Sequence, residues 1–235
     1  MAAHQVVGID GYRGGWVAVR HVGRSGAADA ATADSLDWAT APVDAIGDLL
    51  PDRCIAAIDM PIGLLDSGER ECDALARRRL PGATSRVFVT PPRAVLELGL
   101  QAPNDQVQRL CRALTGSGVS RQALGLASRV LALDHYLAGN ADAVVVEAHP
   151  EISFCAMTAG PPLASKKCAA GVGQRMAALR SWLPEVDAVV SRAPTEVPID
   201  DALDALACLW TAQRWAAGTA ATLPERAQAR PFIAI

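Results

Sequence analysis

Short apolar runs alternate along the chain with longer segments that have helical spacing. The runs at residues 5–9, 54–58 and 143–146 are almost wholly apolar, which is typical of strands buried on both faces of a sheet. A further strand is predicted at 16–22, where β-branched residues follow a glycine-rich turn, and a weaker one between 26 and 38. The first strand and the strand at 16–22 are therefore expected to form a hairpin.

Segments with apolar residues at helical spacing occupy much of the remaining chain. Their predicted bounds are 42–50, 72–80, 104–115, 125–137, 166–183 and 199–217. Residues 85–92 end in two prolines and are predicted to be extended. Strands that alternate with helices indicate an α/β fold. We expect one domain over residues 1–235, with a helical insertion at about 66–140.

Each of the three buried-looking runs is followed by an acidic residue. These residues are Asp10, Asp59 and Glu147. Ligands of open α/β sheets bind beyond the carboxyl ends of the strands, so carboxylates in these positions are candidates for chemistry. Asp is also common after strands as a turn or capping residue, and this purely structural role is the alternative for each.

Two further carboxylates share one face of the last predicted helix. Asp201 and Asp204 are three residues apart, and capping of the helix accounts poorly for Asp204, which lies among Ala and Leu. Carboxylate oxygens are the ligands that Mg²⁺ and Mn²⁺ prefer. Two such ions about 4 Å apart can stabilise the attacking and leaving oxygens of phosphodiester hydrolysis. The pattern therefore predicts a Mg²⁺ or Mn²⁺ site.

Six segments, spread in order over nearly the whole chain, carry a family resemblance. They resemble those of domain-of-unknown-function family 429, whose members are described as predicted ribonuclease H-like nucleases. Residues 201–206 also resemble the last motif of bacterial Holliday-junction resolvases. The six segments are residues 8–17, 57–65, 87–93, 146–154, 165–167 and 200–207.

This resemblance implies a ribonuclease H-like fold: a mixed five-stranded sheet, with its first three strands in an antiparallel meander and helices on both faces. It also implies a metal-dependent nuclease that hydrolyses phosphodiester bonds of DNA or RNA. The implied catalytic and metal-binding residues are Asp10, Asp59, Glu147, Asp201 and Asp204. The chain departs from ribonuclease H in its first predicted helix, 42–50, which contains no glutamate, and Glu147 is the candidate replacement.

Four basic residues and a histidine are further candidates. His149 is expected to assist proton transfer to the leaving group or, alternatively, to cap the following helix. The adjacent Lys166 and Lys167 are the only lysines among 22 basic residues, and they follow Ser165 at a predicted helix start. They are expected to bind a substrate phosphate. Replacing both with Ala should weaken substrate binding and leave metal binding intact; the alternative is a solvated charge pair.

Two arginines are candidates for contact with the substrate phosphate. Arg93 follows a double proline in one of the family-like segments, and Arg13 lies in the predicted hairpin turn. Each has the alternative of being an ordinary exposed charge.

The composition narrows the function classes. With 51% hydrophobic residues and a net charge of −3, the chain is neither disordered nor a general polycation. Its six cysteines form no CxxC pair and are expected to be free thiols. No run of 18 apolar residues predicts a membrane span, so a cytoplasmic protein is expected.

Two alternatives to a nuclease stay open at this point. One is an ATP-binding phosphotransferase of the actin-like or sugar-kinase type, because such proteins have a similar core with an Asp-Gly turn after the first strand. The other is a non-catalytic binding protein that retains the fold. Nucleic acid is the expected partner of a nuclease. The oligomeric state is left open.

Overall fold

A mixed sheet of seven strands runs through the computed structural model, which describes residues 5–21, 32–225 and 229–235. The strands are β1 (Val6–Tyr12), β2 (Gly15–His21), β3 (Leu36–Ala41), β4 (Ile55–Ile58), β5 (Val144–Ala148), β6 (Thr222–Leu223) and β7 (Ile233–Ala234). Their order across the sheet is β3-β2-β1-β4-β5-β7-β6. The α/β class is confirmed.

The strand directions place two predicted acids side by side. β1, β2 and β3 form the expected antiparallel meander, whereas β4 is parallel to β1 and β5 is parallel to β4. Ile9 pairs with Ile58, and the Asp59 amide donates to the Ile9 carbonyl at 3.1 Å. Asp10 and Asp59 follow these two paired residues, so they lie at the same edge of the sheet.

The sheet is wider than the five strands that the resemblance implied. β7 pairs in parallel with β5, and β6 pairs antiparallel with β7. Each of these strands has only two residues, so neither is long enough to produce a recognisable alternation in the sequence.

Helices cover both faces of the sheet. They are α1 (Glu71–Arg79), α2 (Arg93–Gly99), α3 (Asn104–Thr115), α4 (Arg121–Gly125), α5 (Ala127–Gly139), α6 (Pro150–Thr158), α7 (Ala169–Arg180), α8 (Val186–Val190) and α9 (Ile199–Ala216). Helices α1 to α5 come between β4 and β5 in the chain. Among the described residues, no helix combines the length and the apolar character needed to cross a bilayer.

Three predicted elements differ from the structure. The predicted helix at 42–50 is a 3₁₀ helix, Val43–Leu49, in which Ala45 departs from helical dihedral angles. Another 3₁₀ turn, Thr84–Arg86, interrupts the segment that was expected to be extended. The helix predicted from residue 166 begins at Ala169, so the two lysines precede it. An amphipathic pattern cannot distinguish a 3₁₀ turn from an α-helical one over so few residues.

The predicted strands at 16–22 and 26–38 fall partly on undescribed positions. The first is observed as β2, which ends at His21, and residue 22 lies outside the described residues. The second is observed only from Leu36, in β3, and residues 26–31 of that prediction also lie outside them.

Alternation along the strands separates two apolar cores. In β1, Val7 and Ile9 face the 3₁₀ helix Val43–Leu49 together with α2 and α5, whereas Val6 faces the opposite side. That opposite side is covered by α6, α7, α8 and α9. Because side chains two apart share a face, Gly8 and Asp10 lie on the α9 side of the sheet.

At Gly8 the backbone of α9 contacts the sheet directly. A Cβ atom added at Gly8 would lie 2.1 Å from the backbone nitrogen of Leu209 and 2.2 Å from the carbonyl oxygen of Ala205. Both are backbone atoms, so no side-chain rotation can make room. The absence of a side chain at Gly8 therefore sets how closely α9 approaches β1, and with it the position of Asp204, the residue before Ala205.

Gly8→Ala is expected to lower the free energy of unfolding by at least about 2 kcal/mol, because the methyl group must push α9 away from β1. Urea denaturation followed by circular dichroism measures the change. The matched control is Gly173→Ala on the exposed face of α7, where an added Cβ meets nothing within 4 Å. That control should be neutral or stabilising by up to about 1 kcal/mol. Equal stability of Gly8→Ala and the control would contradict the account.

Candidate metal centre and active-site cleft

Three aspartates converge where β1, β4 and α9 meet. Asp10 lies near the end of β1, Asp59 directly follows β4, and Asp204 lies on the second turn of α9. Each offers a carboxylate oxygen, and the three oxygens all lie within 4.8 Å of one another. We call these residues the carboxylate cluster. The sequence predicted Asp10 and Asp59 as site residues because they follow buried strands, and Asp204 because it lies among apolar residues of a helix. The fold brings all three together.

The cluster lies in a cleft of about 410 Å³. The exposed fraction is 5% for Asp10 and 2% for Asp204, whereas Asp59 is half-buried. The segment between β4 and β5 also lines the cleft and contributes Arg86, Phe88 and other residues. A pocket of this size can enclose a nucleotide-sized group.

Burial makes the ionised cluster unfavourable. It is the largest cause that raises the pKa of Asp59 to about 6 and the pKa of Asp204 to about 6, and it raises the pKa of Asp10 well above its usual range. Repulsion from the other carboxylates of the cluster raises the pKa of Asp10 and Asp204 further, whereas for Asp59 the repelling acids are Glu151 and Asp201. A cation bound among them would relieve both effects.

One buried oxygen of the cluster has no hydrogen-bond partner. Asp204 Oδ2 accepts a hydrogen bond from Lys166 Nζ, whereas Asp204 Oδ1 is buried and unpartnered among the described residues. An unsatisfied buried carboxylate oxygen costs free energy unless a ligand binds it. The chemistry of the donors and this free oxygen both fit a hard divalent cation.

The predicted substrate lysines are held by acids of α9. Lys166 Nζ bonds to Asp204 and lies 3.9 Å from Asp200 Oδ2, while Lys167 Nζ bonds to Asp200 Oδ2 at 2.5 Å. Both lysines line the cleft. Ser165, expected as a helix cap, accepts a hydrogen bond from the Lys167 amide at 3.3 Å, and the helix itself begins four residues later.

Asp201 lines the cleft beside the cluster. It is half-buried, and burial followed by repulsion from Asp200 raises its pKa to about 6. Its oxygens are outside the group of three that converge within 4.8 Å. It is therefore available at the rim of the site.

Glu147 faces the cleft, but its carboxylate is held by a buried arginine. Arg70 Nη2 donates to Glu147 at 2.7 Å and 2.6 Å to the two oxygens, and the Ile62 amide donates at 2.8 Å. Burial raises the pKa of Glu147 to about 7 although Arg70 opposes the change. Sequence reasoning missed Arg70 because an arginine at the start of a helix carries no signal of burial.

His149 occupies the N-cap position of α6 and lines the cleft, but its side chain makes no capping hydrogen bond. Its Nδ1 atom is buried and unpartnered among the described residues. Burial lowers the pKa of His149, so the imidazole is neutral at pH 7. In that state it can accept a proton near the cluster, whereas donation to a leaving group would require it to be charged first.

The two predicted arginines lie away from the cleft. Arg13 is exposed in the turn between β1 and β2, and Arg93 forms a two-bond ion pair with Asp134 of α5. Neither is among the described residues that line the cleft. Arg86 does line it and donates to Glu151 Oε2 at 2.7 Å.

Asp59→Asn is expected to stabilise the metal-free protein by about 2 kcal/mol at pH 7. Asp59 has a pKa of about 6 in the folded protein, which is higher than the value of about 4 in an unfolded chain. An acid with a raised pKa lowers stability as the pH rises through this interval, and Asn removes that loss. The gain should therefore be small at pH 4 and complete by pH 7.

Urea denaturation in EDTA across this pH range measures the effect, with the exposed Asp48→Asn as the control. A gain that is as large at pH 4 as at pH 7, or no gain at pH 7, would contradict the raised pKa of the Asp59 carboxylate.

Comparison with known proteins identifies the family to which the chain belongs. Searches of the curated proteins and of the solved structures each found no match. Residues 8–229, nearly the whole chain, match the family described as "Protein of unknown function (DUF429)". That span contains every residue of the carboxylate cluster. The chain belongs to the DUF429 family.

Proposed function

We propose that this protein is a metal-dependent nuclease with a ribonuclease H-like fold, which hydrolyses phosphodiester bonds of DNA or RNA. The observation that carries the proposal is the convergence of Asp10, Asp59 and Asp204, with one buried Asp204 oxygen left without a partner. Carboxylates in this arrangement suit Mg²⁺ or Mn²⁺.

The topology supports the ribonuclease H-like part of the proposal. An antiparallel meander, β1 to β3, is followed by the parallel strands β4 and β5, and a late helix, α9, brings its acid to the end of β1. This is the arrangement that the family resemblance implies. The additional strands β6 and β7 lie at one edge and leave it intact.

Asp10, Asp59 and Asp204 would hold the ion, and Asp201 is a further carboxylate at the rim. A bound divalent ion would supply positive charge for the phosphate and lower the pKa of a bound water. Glu147 has a different role in this proposal. Its ion pair with Arg70 joins β5 to the segment before α1, and this contact positions one wall of the cleft.

The remaining cleft residues act on the substrate and on protons. His149 lines the cleft, and the lowered pKa of its imidazole suits it to accept a proton there. Phe88, half-buried, also lines the cleft and offers an aromatic surface to a base. Lys167 keeps positive charge at the exposed rim, where a phosphate enters, whereas Lys166 lies deeper and is bonded to Asp204.

The test is cleavage of labelled single strands, DNA–RNA hybrids, duplexes and junctions, with Mg²⁺ or Mn²⁺ and with EDTA. Asp10→Asn and Asp204→Asn should each lower the rate at least about 10²-fold, because even partners of metal ligands cost 10- to 100-fold when removed. Asp48→Asn, an exposed position outside the cleft, should cleave like the unsubstituted protein.

Cleavage that persists in EDTA, or in Asp10→Asn, would contradict the assignment. ATP turnover is measured in the same series. Metal-dependent ATP hydrolysis without cleavage of any nucleic acid would favour a phosphotransferase instead.

A further inference from the structure

A lysine side chain reaches into the carboxylate cluster. Lys166 Nζ bonds to Asp204, and its positive charge interacts with Asp10 and Asp59 as well. The exposed fraction of its side chain is 31%, compared with 74% for Lys167. The two adjacent lysines are therefore not equivalent: Lys166 belongs to the cluster, whereas Lys167 lies outside it on Asp200.

The loop that carries Lys166 is held firmly against α7. A Cβ atom added at Gly171 would lie 2.0 Å from the carbonyl oxygen of Ser165, so loop and helix backbones are in direct contact. Arg175 donates to the Ala164 carbonyl at 2.8 Å, and the Gln174 side chain accepts from the Ala164 amide at 2.7 Å. These contacts fix the backbone from which Lys166 extends, so the ammonium group is positioned before any ligand binds.

Other acids around the cleft already have cationic partners. Glu147 is paired with Arg70, Glu151 with Arg175 and Arg86, and Asp200 with Lys167. Asp201, at the rim, adds a further negative charge that raises the pKa values of Asp10 and Asp59. The unbalanced charge is therefore concentrated in the carboxylate cluster and beside it at Asp201.

The charge of the cluster matches one divalent ion. Three carboxylates and the ammonium of Lys166 leave a net charge of −2 when all are ionised. The two oxygens of Asp204 differ in the same way: Oδ2 accepts a hydrogen bond from Lys166, whereas Oδ1 has no partner among the described residues and can bind an ion. A second ion that needed Oδ2 would have to displace a positioned lysine from a charge-assisted hydrogen bond.

We propose that Lys166 is the second cation of this site, so that the carboxylate cluster binds a single divalent ion. This inference rests on the proposed metal-dependent function and goes further, because it sets the number of ions. Lys166 takes the Asp204 oxygen that a second ion would need and places its ammonium beside the bound ion. A phosphate in the cleft then meets one metal ion and one fixed lysine.

Titration calorimetry with Mn²⁺ as the only ligand, together with electron paramagnetic resonance, tests the number of ions. The unsubstituted protein should bind one Mn²⁺ and give the spectrum of an isolated ion. Lys166→Ala frees Asp204 Oδ2, and Asp201 on the same helix face supplies a further carboxylate. We expect this variant to bind two ions with spin coupling between them, and the first about tenfold more tightly. Because Lys166 is bonded to Asp204, this replaces the expectation from the sequence that loss of both lysines leaves metal binding intact.

Lys167→Ala is the matched control and should bind one ion with unchanged affinity, because Lys167 is bonded to Asp200 and not to the cluster. Lys166→Met keeps most of the side-chain stem without a hydrogen-bond donor and replaces Lys166→Ala if circular dichroism shows that the latter is unfolded. The same stoichiometry is expected of it.

Two Mn²⁺ in the unsubstituted protein, or one ion of unchanged affinity in the folded Lys166 variant, would overturn the role of Lys166 and leave the metal-dependent function standing. If the unsubstituted protein binds no Mn²⁺, or if Asp204→Asn binds Mn²⁺ equally well, the metal site itself is overturned, and this inference with it.

Discussion

Direct backbone contact between α9 and β1 at Gly8 determines where the acids of this protein meet. Gly8 and Asp10 share a face of β1, and α9 lies on that face with Ala205 and Leu209 against the glycine. Any larger residue at position 8 would lift the helix and carry Asp204 away from Asp10. Hydrophobic burial along α9 stabilises the contact, so the same packing that forms the core also forms the cluster.

This contact brings negative charges together, and the surrounding cationic residues neutralise some of these acids more fully than others. Three carboxylates are forced into a region with little solvent, and burial together with repulsion from neighbouring acids raises their pKa values. Several nearby acids are neutralised by their own partners, as Arg70 neutralises Glu147. Among the described residues, the only ion pair of the cluster is the one with Lys166, so the cluster keeps an excess of negative charge. Such local frustration is typical of functional sites, because a ligand can relieve it.

Much of the site could be predicted from the sequence because two simple periodicities encode it. Apolar runs that end in an acid place Asp10 and Asp59 at one sheet edge, and a carboxylate embedded among Ala and Leu marks Asp204 as buried. The ion pair of Glu147 could not be predicted, because Arg70 is 77 residues away and lies in a segment without a pattern. The start of α7 was placed too early because no residue in 165–168 breaks the helical spacing.

A crystal of the full chain soaked in Mn²⁺ and measured at the manganese absorption edge tests the metal-binding role of the carboxylate cluster most directly. We expect one anomalous peak with oxygen ligands from Asp10, Asp59 and Asp204, and with Lys166 still bonded to Asp204. No peak at this position, or an ion held by other residues while the cluster stays bare, would contradict that role.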